Sequence, residues 1–366
     1  MTYEAESRAL DREILAVIER WHRYGESPHD SAFGDLALRV FDYQLRYNAP
    51  YARYCARLGV TPACPPSSWE AIPAVPAPAF KEAALTTFDP GSAALTFETS
   101  GTSGPARGRH HMETPALYDA ALLAAFDRLV LPDDARLRYF NLVPNPQERP
   151  ASSLGYMMAR ISERRGKGRT GWYLNGDELL YDEFASDLCS TIEDGCAVFI
   201  AATAFALMHA LDALERDGTR LALPRGSRIM QTGGFKGRSR VVDRAELYER
   251  TCGVFGVAHA AIVSEYGMTE LTSQYYQDAV SGNEVGPPWL RARVVGPDRR
   301  AVAPGSVGSL LHVDLANRSS CVAVQTEDLG IERAVGFTLL GREAEALPRG
   351  CSLDAETLQT LFTPRC

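Results

Sequence analysis

The sequence predicts a mixed α/β protein with a helical N-terminal region, an α/β sheet core and a smaller β-rich subdomain, closing on a short tail. Three observations carry this. Apolar residues fall at helical spacing in the first third of the chain. From Leu95 onward, short apolar runs alternate with helical stretches. Beyond Gly282 the runs are of strand type only. A chain of 366 residues has ample length for a buried core, as one large domain or two. The expected division is a core domain over residues 1–340 and a tail over residues 341–366, with a hinge near residue 340.

In the opening segment, Leu10, Ile14, Val17, Ile18 and Trp21 share one helical face, and Leu36, Val40 and Phe41 do the same in the next helix. The stretch PACPPSSWEAIPAVPAPAF is too rich in proline for regular helix. RYFNLV, AVFIAA, RIMQTGG and AAIVSEYG then read as strands, each followed by helical or turn sequence. Ligands bind at the strand ends of such sheets. RARVV, SLLHVD, VAVQTED and GFTLLG read as shorter strands of the β-rich part. The most apolar run, CAVFIAATAFALMHALDAL, contains Thr203, His209 and Asp212, and reads as a strand running into a helix, not as a membrane span.

A net charge of −8 argues against a nucleic-acid or acidic-membrane binder, although it leaves room for a local basic pocket. The charged first segment is an amphipathic helix, not a signal peptide. Eight cysteines without a CxxC pair or metal-ligand spacing read as free thiols of a reducing cytoplasm, so a cytoplasmic protein is expected.

The stretch TSGTSGPAR carries the chemistry. Gly101 and Gly104 leave backbone N–H groups uncovered, and consecutive N–H groups form an anion-binding concavity. Thr99, Ser100, Thr102 and Ser103 add hydroxyl donors, and Arg107 and Arg109 add planar cations suited to phosphate. A polar surface loop has the same composition. The run is neither a Walker A loop nor GxGxxG.

The order of residues resembles the phosphate loop of the adenylate-forming, acyl-activating superfamily, with Arg107 where a lysine is usual. SEYGMTE looks like its YGxTE motif. The resemblance gives Tyr266 and Gly267 the wall of the adenine and acyl pocket, Thr269 a bond to the α-phosphate, and Glu270 the Mg²⁺. QTGGFKG lies between them. Gly233, Gly234 and Phe235 match the turn that lies against adenine, while Lys236 and Arg238 are either phosphate contacts or solvated. In QTEDLG, Asp328 matches the carboxylate that holds the ribose hydroxyls, and Arg342 of LLGRE matches the hinge arginine that touches phosphate or ribose. ATP and Mg²⁺ are therefore implied.

Typical members carry a further C-terminal lobe with a catalytic lysine, which this chain does not show. It resembles the shorter acyl-protein synthetase branch, the synthetase component of the bacterial-luminescence fatty acid reductase complex and its relatives. VFDYQLRYNAPYARYC, WEAIPAVPAPAFK, PASSLGYMMARI, AATAFALMHALDAL and GREAEALPRGCSLDAE carry that likeness. In that family a cysteine near the C-terminus holds the acyl group as a thioester, and Cys351 matches it. Cys is the most nucleophilic side chain near neutral pH, and Arg349 either favours its thiolate or is simply solvated. Cys366 is its rival.

The resemblance implies an AMP-forming acid–thiol ligase. A carboxylic acid, fatty or aromatic, becomes acyl-AMP and then a thioester on Cys351 for an acyl-accepting partner such as a reductase or acyl carrier. Arg107 and Lys236 assist the first step in place of the absent lobe lysine. His110 and His111 read as bystanders of the loop. Two alternatives stay open: a ligase with coenzyme A or a carrier protein as acceptor, and a nucleotide-binding subunit without turnover.

Overall fold

The structure, a computed structural model, describes residues 2–99, 107–233 and 244–342. It divides into two compact units. One comprises Met1–Ala125, Met268–Gln274 and Val285–Cys366; the other comprises Phe126–Gly267 and Tyr275–Glu284. The fold is mixed α/β, as the sequence predicts.

The first unit opens with the helix Tyr3–Tyr24. Thr2 Oγ1 accepts from Ala5 N at its start, and Gly25, at φ 72°, ends it in the left-handed conformation that glycine adopts without penalty. Leu10, Ile14, Ile18 and Trp21 are buried as the spacing requires, and Val17 is half-buried. The helix Asp30–Tyr47 buries Leu36, Val40 and Phe41 and also Gln44. The Gln44 amide donates to the backbone carbonyls of Asn317 (2.8 Å) and Arg318 (3.0 Å), while its oxygen accepts from Val322 N (2.8 Å). One buried amide thus bonds three backbone groups of one turn.

The proline-rich stretch forms the two-residue strand Val75–Pro76 and the single helical turn Ala79–Glu82. Val75 pairs in parallel with Val324. The strands Leu290–Val295, Val307–Asp314, Ala323–Glu332 and Phe337–Arg342 form an antiparallel meander. These are not the shorter strands expected: Val307–Asp314 has eight residues and Ala323–Glu332 ten, against five in Ile262–Tyr266. Antiparallel neighbours need no crossover helix between them, so each strand can run on.

The second unit contains a parallel run of strands in the order Gly171–Trp172, Arg138–Leu142, Val198–Thr203, Arg228–Thr232, Ile262–Tyr266, followed by antiparallel Tyr275–Gln277. Val198–Thr203 runs directly into the helix Ala204–Arg216, where Thr203 Oγ1 accepts from Ala206 N. Phe140, Ile200, Leu207, Leu211 and Ile262 are among the buried residues of its core. Among the described residues no helix is long and apolar enough to cross a membrane.

Candidate active site

The phosphate-loop sequence is carried by a hairpin. Leu95–Glu98 pairs antiparallel with Arg109–Met112, in the register Glu98↔Arg109. Beyond the last pair, Thr99 N donates to Gly108 O (3.0 Å) and Gly108 N donates to Thr99 Oγ1 (3.0 Å). This closes the stem on both sides of residues 100–106. A Cβ on Gly108 would lie 3.1 Å from Thr99 Cγ2, close enough that Thr99 must give way slightly, and in ordinary contact with Phe80 Cβ at 3.4 Å. At the mouth of the stem Glu98 accepts from Arg109 Nε at 3.0 Å and lies 3.7 Å from Arg107, whose side chain is largely exposed.

His110 leaves the stem on its inner side and is completely buried. Its Nδ1 lies 2.8 Å from the backbone oxygen of Thr269. A carbonyl only accepts, so Nδ1 carries the proton and Nε2 is the bare nitrogen. Nε2 is buried without a hydrogen-bond partner, and the ring meets Phe80 edge to face at 5.9 Å. Burial pushes the imidazole down to about 4, against the opposing pull of the Thr269 carbonyl, so it is neutral at pH 7. This is not the bystander expected. A histidine adjoining a polar loop is usually solvated, but here the strand alternation turns it inward and its neighbour His111 out toward Thr96.

Thr269 and Glu270 sit in a segment locked from behind. Asn317 Nδ2 donates to Glu270 O at 2.9 Å. Asp314, the last residue of its strand, accepts from Thr272 N (3.0 Å), Ser273 N (2.9 Å), Ser273 Oγ (2.9 Å) and Ala316 N (3.0 Å). Trp289 Nε1 donates to Ser273 Oγ at 3.0 Å. The Glu270 side chain is nine-tenths buried. Among the described residues no three acids, histidines or cysteines group as a metal cage. Mg²⁺ does not need one, because it keeps several waters and takes one or two carboxylates plus substrate phosphates. The buried carboxylate of Glu270 fits that chemistry.

Asp328 lies in Ala323–Glu332, opposite Arg342 in the register of the last two strands, so the structure brings these two expected residues together. Thr326 Oγ1 accepts from Asp328 N at 3.1 Å, and Asp328 acts on buried His312 as a nearby negative charge. Gly341, beside the hinge position, has φ 103°.

In the other unit, Gly233 follows Arg228–Thr232 at φ 72°, where glycine is unstrained. Tyr266 ends Ile262–Tyr266, with its ring 5.9 Å from Tyr275, and Gly267 follows. One pair there was not anticipated: Thr232 donates its hydroxyl to Glu265, its register partner, and burial pushes Glu265 up to about 7. The remaining expected residues, Ser100, Gly101, Thr102, Ser103, Gly104, Gly234, Phe235, Lys236 and Cys351, lie outside the described residues. Sequence reasoning set His110 aside as a bystander and missed Asp314 and Glu265; Glu265 lay within a motif already singled out, whereas Asp314 carries no local signal.

The fold is that of the adenylate-forming ligases. The chain superposes on a crystal structure of 2-hydroxyisobutyryl-CoA ligase in the postadenylation state in complex with 2-HIB-AMP with a TM-score of 0.62, at 14% identity, covering 86% of this chain and 67% of that one. An open conformation of that ligase, in complex with 2-HIB-AMP and CoA, gives 0.61 at 15% identity, covering 83% and 73%. No curated protein matches the sequence. The chain belongs to the acyl-protein synthetase family, LuxE, whose family model matches residues 20–359. It is accordingly an AMP-forming ligase that uses ATP to activate an acyl group.

Proposed function

We propose that the enzyme activates a fatty or aromatic carboxylic acid and then acylates its own Cys351, giving a thioester for a downstream reductase or acyl carrier. In the first step a carboxylate oxygen bonds to the α-phosphorus, the bond to the β-phosphate oxygen breaks, and pyrophosphate leaves. In the second, the Cys351 thiolate attacks the acyl carbon, the carbon–oxygen bond to phosphate breaks, and AMP leaves; the thiol proton has gone to solvent. The observation that supports this most is the reach of the family match, which runs to residue 359 and so takes in Cys351.

Donors of residues 99–104, with Arg107, Lys236 and Thr269, serve the phosphates; Asp328 and Arg342 serve the ribose side. Gly233, Gly234, Phe235, Tyr266 and Gly267 keep the adenine role that the resemblance implies. Glu270 is the residue to hold Mg²⁺, which when bound neutralises phosphate charge. His110 keeps the loop stem and the Thr269 backbone in register with one another, and its burial keeps it neutral while doing so. The core over residues 1–340 makes the adenylate, and the tail over residues 341–366 brings the thiol to it.

The test is chemical. Protein incubated with radiolabelled acid and ATP, then denatured, retains label that hydroxylamine removes. Cys351→Ser abolishes that label, and Cys366→Ser leaves it. Label that persists in Cys351→Ser contradicts the assignment. Turnover of coenzyme A without any protein-bound label favours an external acceptor.

A further inference from the structure

We propose that Lys81 is a further phosphate-binding residue, one that holds the pyrophosphate end of ATP in a pocket beside the stem of the phosphate loop. The inference rests on the reading of residues 99–107 as the loop that holds ATP.

Only three of the 38 basic residues of this chain are lysines, at 81, 167 and 236. In a chain so biased to arginine, a lysine stands out. Lys81 lies in the single turn Ala79–Glu82, which is held at both ends. Upstream, Val75 and Pro76 pair with Val324 and Gln325 of the strand that carries Asp328, and Ala77 N donates to Gln325 O at 2.9 Å. Within the turn, Lys81 N donates to Pro78 O at 3.0 Å and Ala83 N to Ala79 O at 3.0 Å. Ala79 and Phe80 are buried. Phe80 packs against Gly108, where an added Cβ would come within 3.4 Å of its Cβ, and its ring meets that of His110 edge to face. The backbone of Lys81 is therefore fixed against the loop stem by its immediate neighbour, 14 residues ahead of the first residue of that stem in sequence.

A cavity of about 450 Å³ opens there, lined among others by Lys81, Glu98, Arg107, Arg109 and His111. That volume falls in the range of small-molecule sites, which is roughly 300–1,000 Å³. Its charge is matched to an anion. Glu98 is shared between two guanidiniums, at 3.0 Å from Arg109 and 3.7 Å from Arg107, so this trio keeps a net positive charge. Glu82 and Lys81 complete the charged lining and leave that excess in place. An ammonium is a compact point charge that can follow a phosphate group of changing geometry, where a guanidinium fork is bound to one plane.

Its role is to stabilise the leaving group. As the carboxylate bonds to the α-phosphorus, the bond from that phosphorus to the bridging oxygen breaks, and the electron pair stays on the β-phosphate. The Lys81 ammonium meets that charge without any proton transfer.

The test is calorimetry on the full chain with ATP, pyrophosphate, AMP and coenzyme A, comparing wild type with Lys81→Met, Lys81→Arg and Lys167→Met. Lys81→Met is expected to weaken ATP and pyrophosphate about 10- to 100-fold, the span of a charge-assisted hydrogen bond. AMP and coenzyme A stay within about twofold, Lys81→Arg recovers part of the loss, and Lys167→Met changes nothing. Equal unfolding temperatures show that the fold is intact. Unchanged pyrophosphate affinity in Lys81→Met overturns the inference, as does a loss of AMP affinity equal to that of ATP. A loss confined to coenzyme A overturns it too, and makes the pocket a site for the phosphates of the thiol acceptor. If the wild type itself binds no ATP, the loop reading falls as well. If the wild type binds ATP and Lys81→Met does the same, only this inference falls.

Discussion

His110 donates its Nδ1 hydrogen to the backbone oxygen of Thr269 at 2.8 Å, from 159 positions away in the sequence. The bond joins the strand that leaves the phosphate loop to the residue expected to touch the α-phosphate. It is also pH-sensitive in one direction only. The folded imidazole titrates at about 4 against an ordinary 6.5, so the native state favours the neutral ring. Stability from this group is complete above 6.5 and is lost as pH falls toward 4. Urea unfolding at pH 7.5 and pH 5 should differ by about 2 kcal/mol from this residue. His110→Asn keeps a donor at the Nδ1 position and does not titrate, so its stability should fall less over the same range. An identical fall in both proteins contradicts the assignment.

Glu265 titrates in the opposite sense. Burial raises it to about 7, so the stability it contributes is present at low pH and is lost as pH rises through 7. Glu265→Gln keeps an acceptor for the Thr232 hydroxyl and cannot ionise. It should be more stable than wild type at pH 8, by roughly 1–3 kcal/mol, and no more stable at pH 5. A variant that is weaker at pH 8 shows that the ionised carboxylate is needed.

Glu270→Gln should raise the Mg²⁺ concentration required for adenylation and leave the unfolding temperature within about 2 °C, because volume and the backbone bond from Asn317 are kept. Unchanged adenylation at low Mg²⁺ removes the metal role.

Asp328→Ala should raise the KM for ATP at least about tenfold, the worth of a hydrogen bond to a charged group. A change under about twofold assigns the ribose to another residue.

The parts of this account legible in the sequence are the strand-to-turn junctions. Apolar runs that end in Gly233 or Gly267, or in the hydroxyl-rich stretch before Gly101, announce a strand giving way to a turn, and local composition suffices to read them. The packing behind them is not local. Asp314 satisfies backbone groups of Thr272 and Ser273, more than forty residues earlier, and nothing in LLHVDLANRS marks it for that work. His110 and His111 are adjacent and identical in type, yet the pleat buries one and half-exposes the other. Lys81 follows the proline-rich stretch, and only the pairing of Val75 with Val324 fixes where that stretch goes.

The most direct test of the two-step account is acid-dependent exchange of labelled pyrophosphate into ATP, measured on wild type and on Cys351→Ser with a panel of fatty and aromatic acids. Adenylation precedes and does not use the thiol. The account predicts exchange with at least one acid, at similar rates in both proteins, while protein-bound label appears in wild type alone. Absence of exchange with every acid, or its loss in a folded Cys351→Ser, contradicts it.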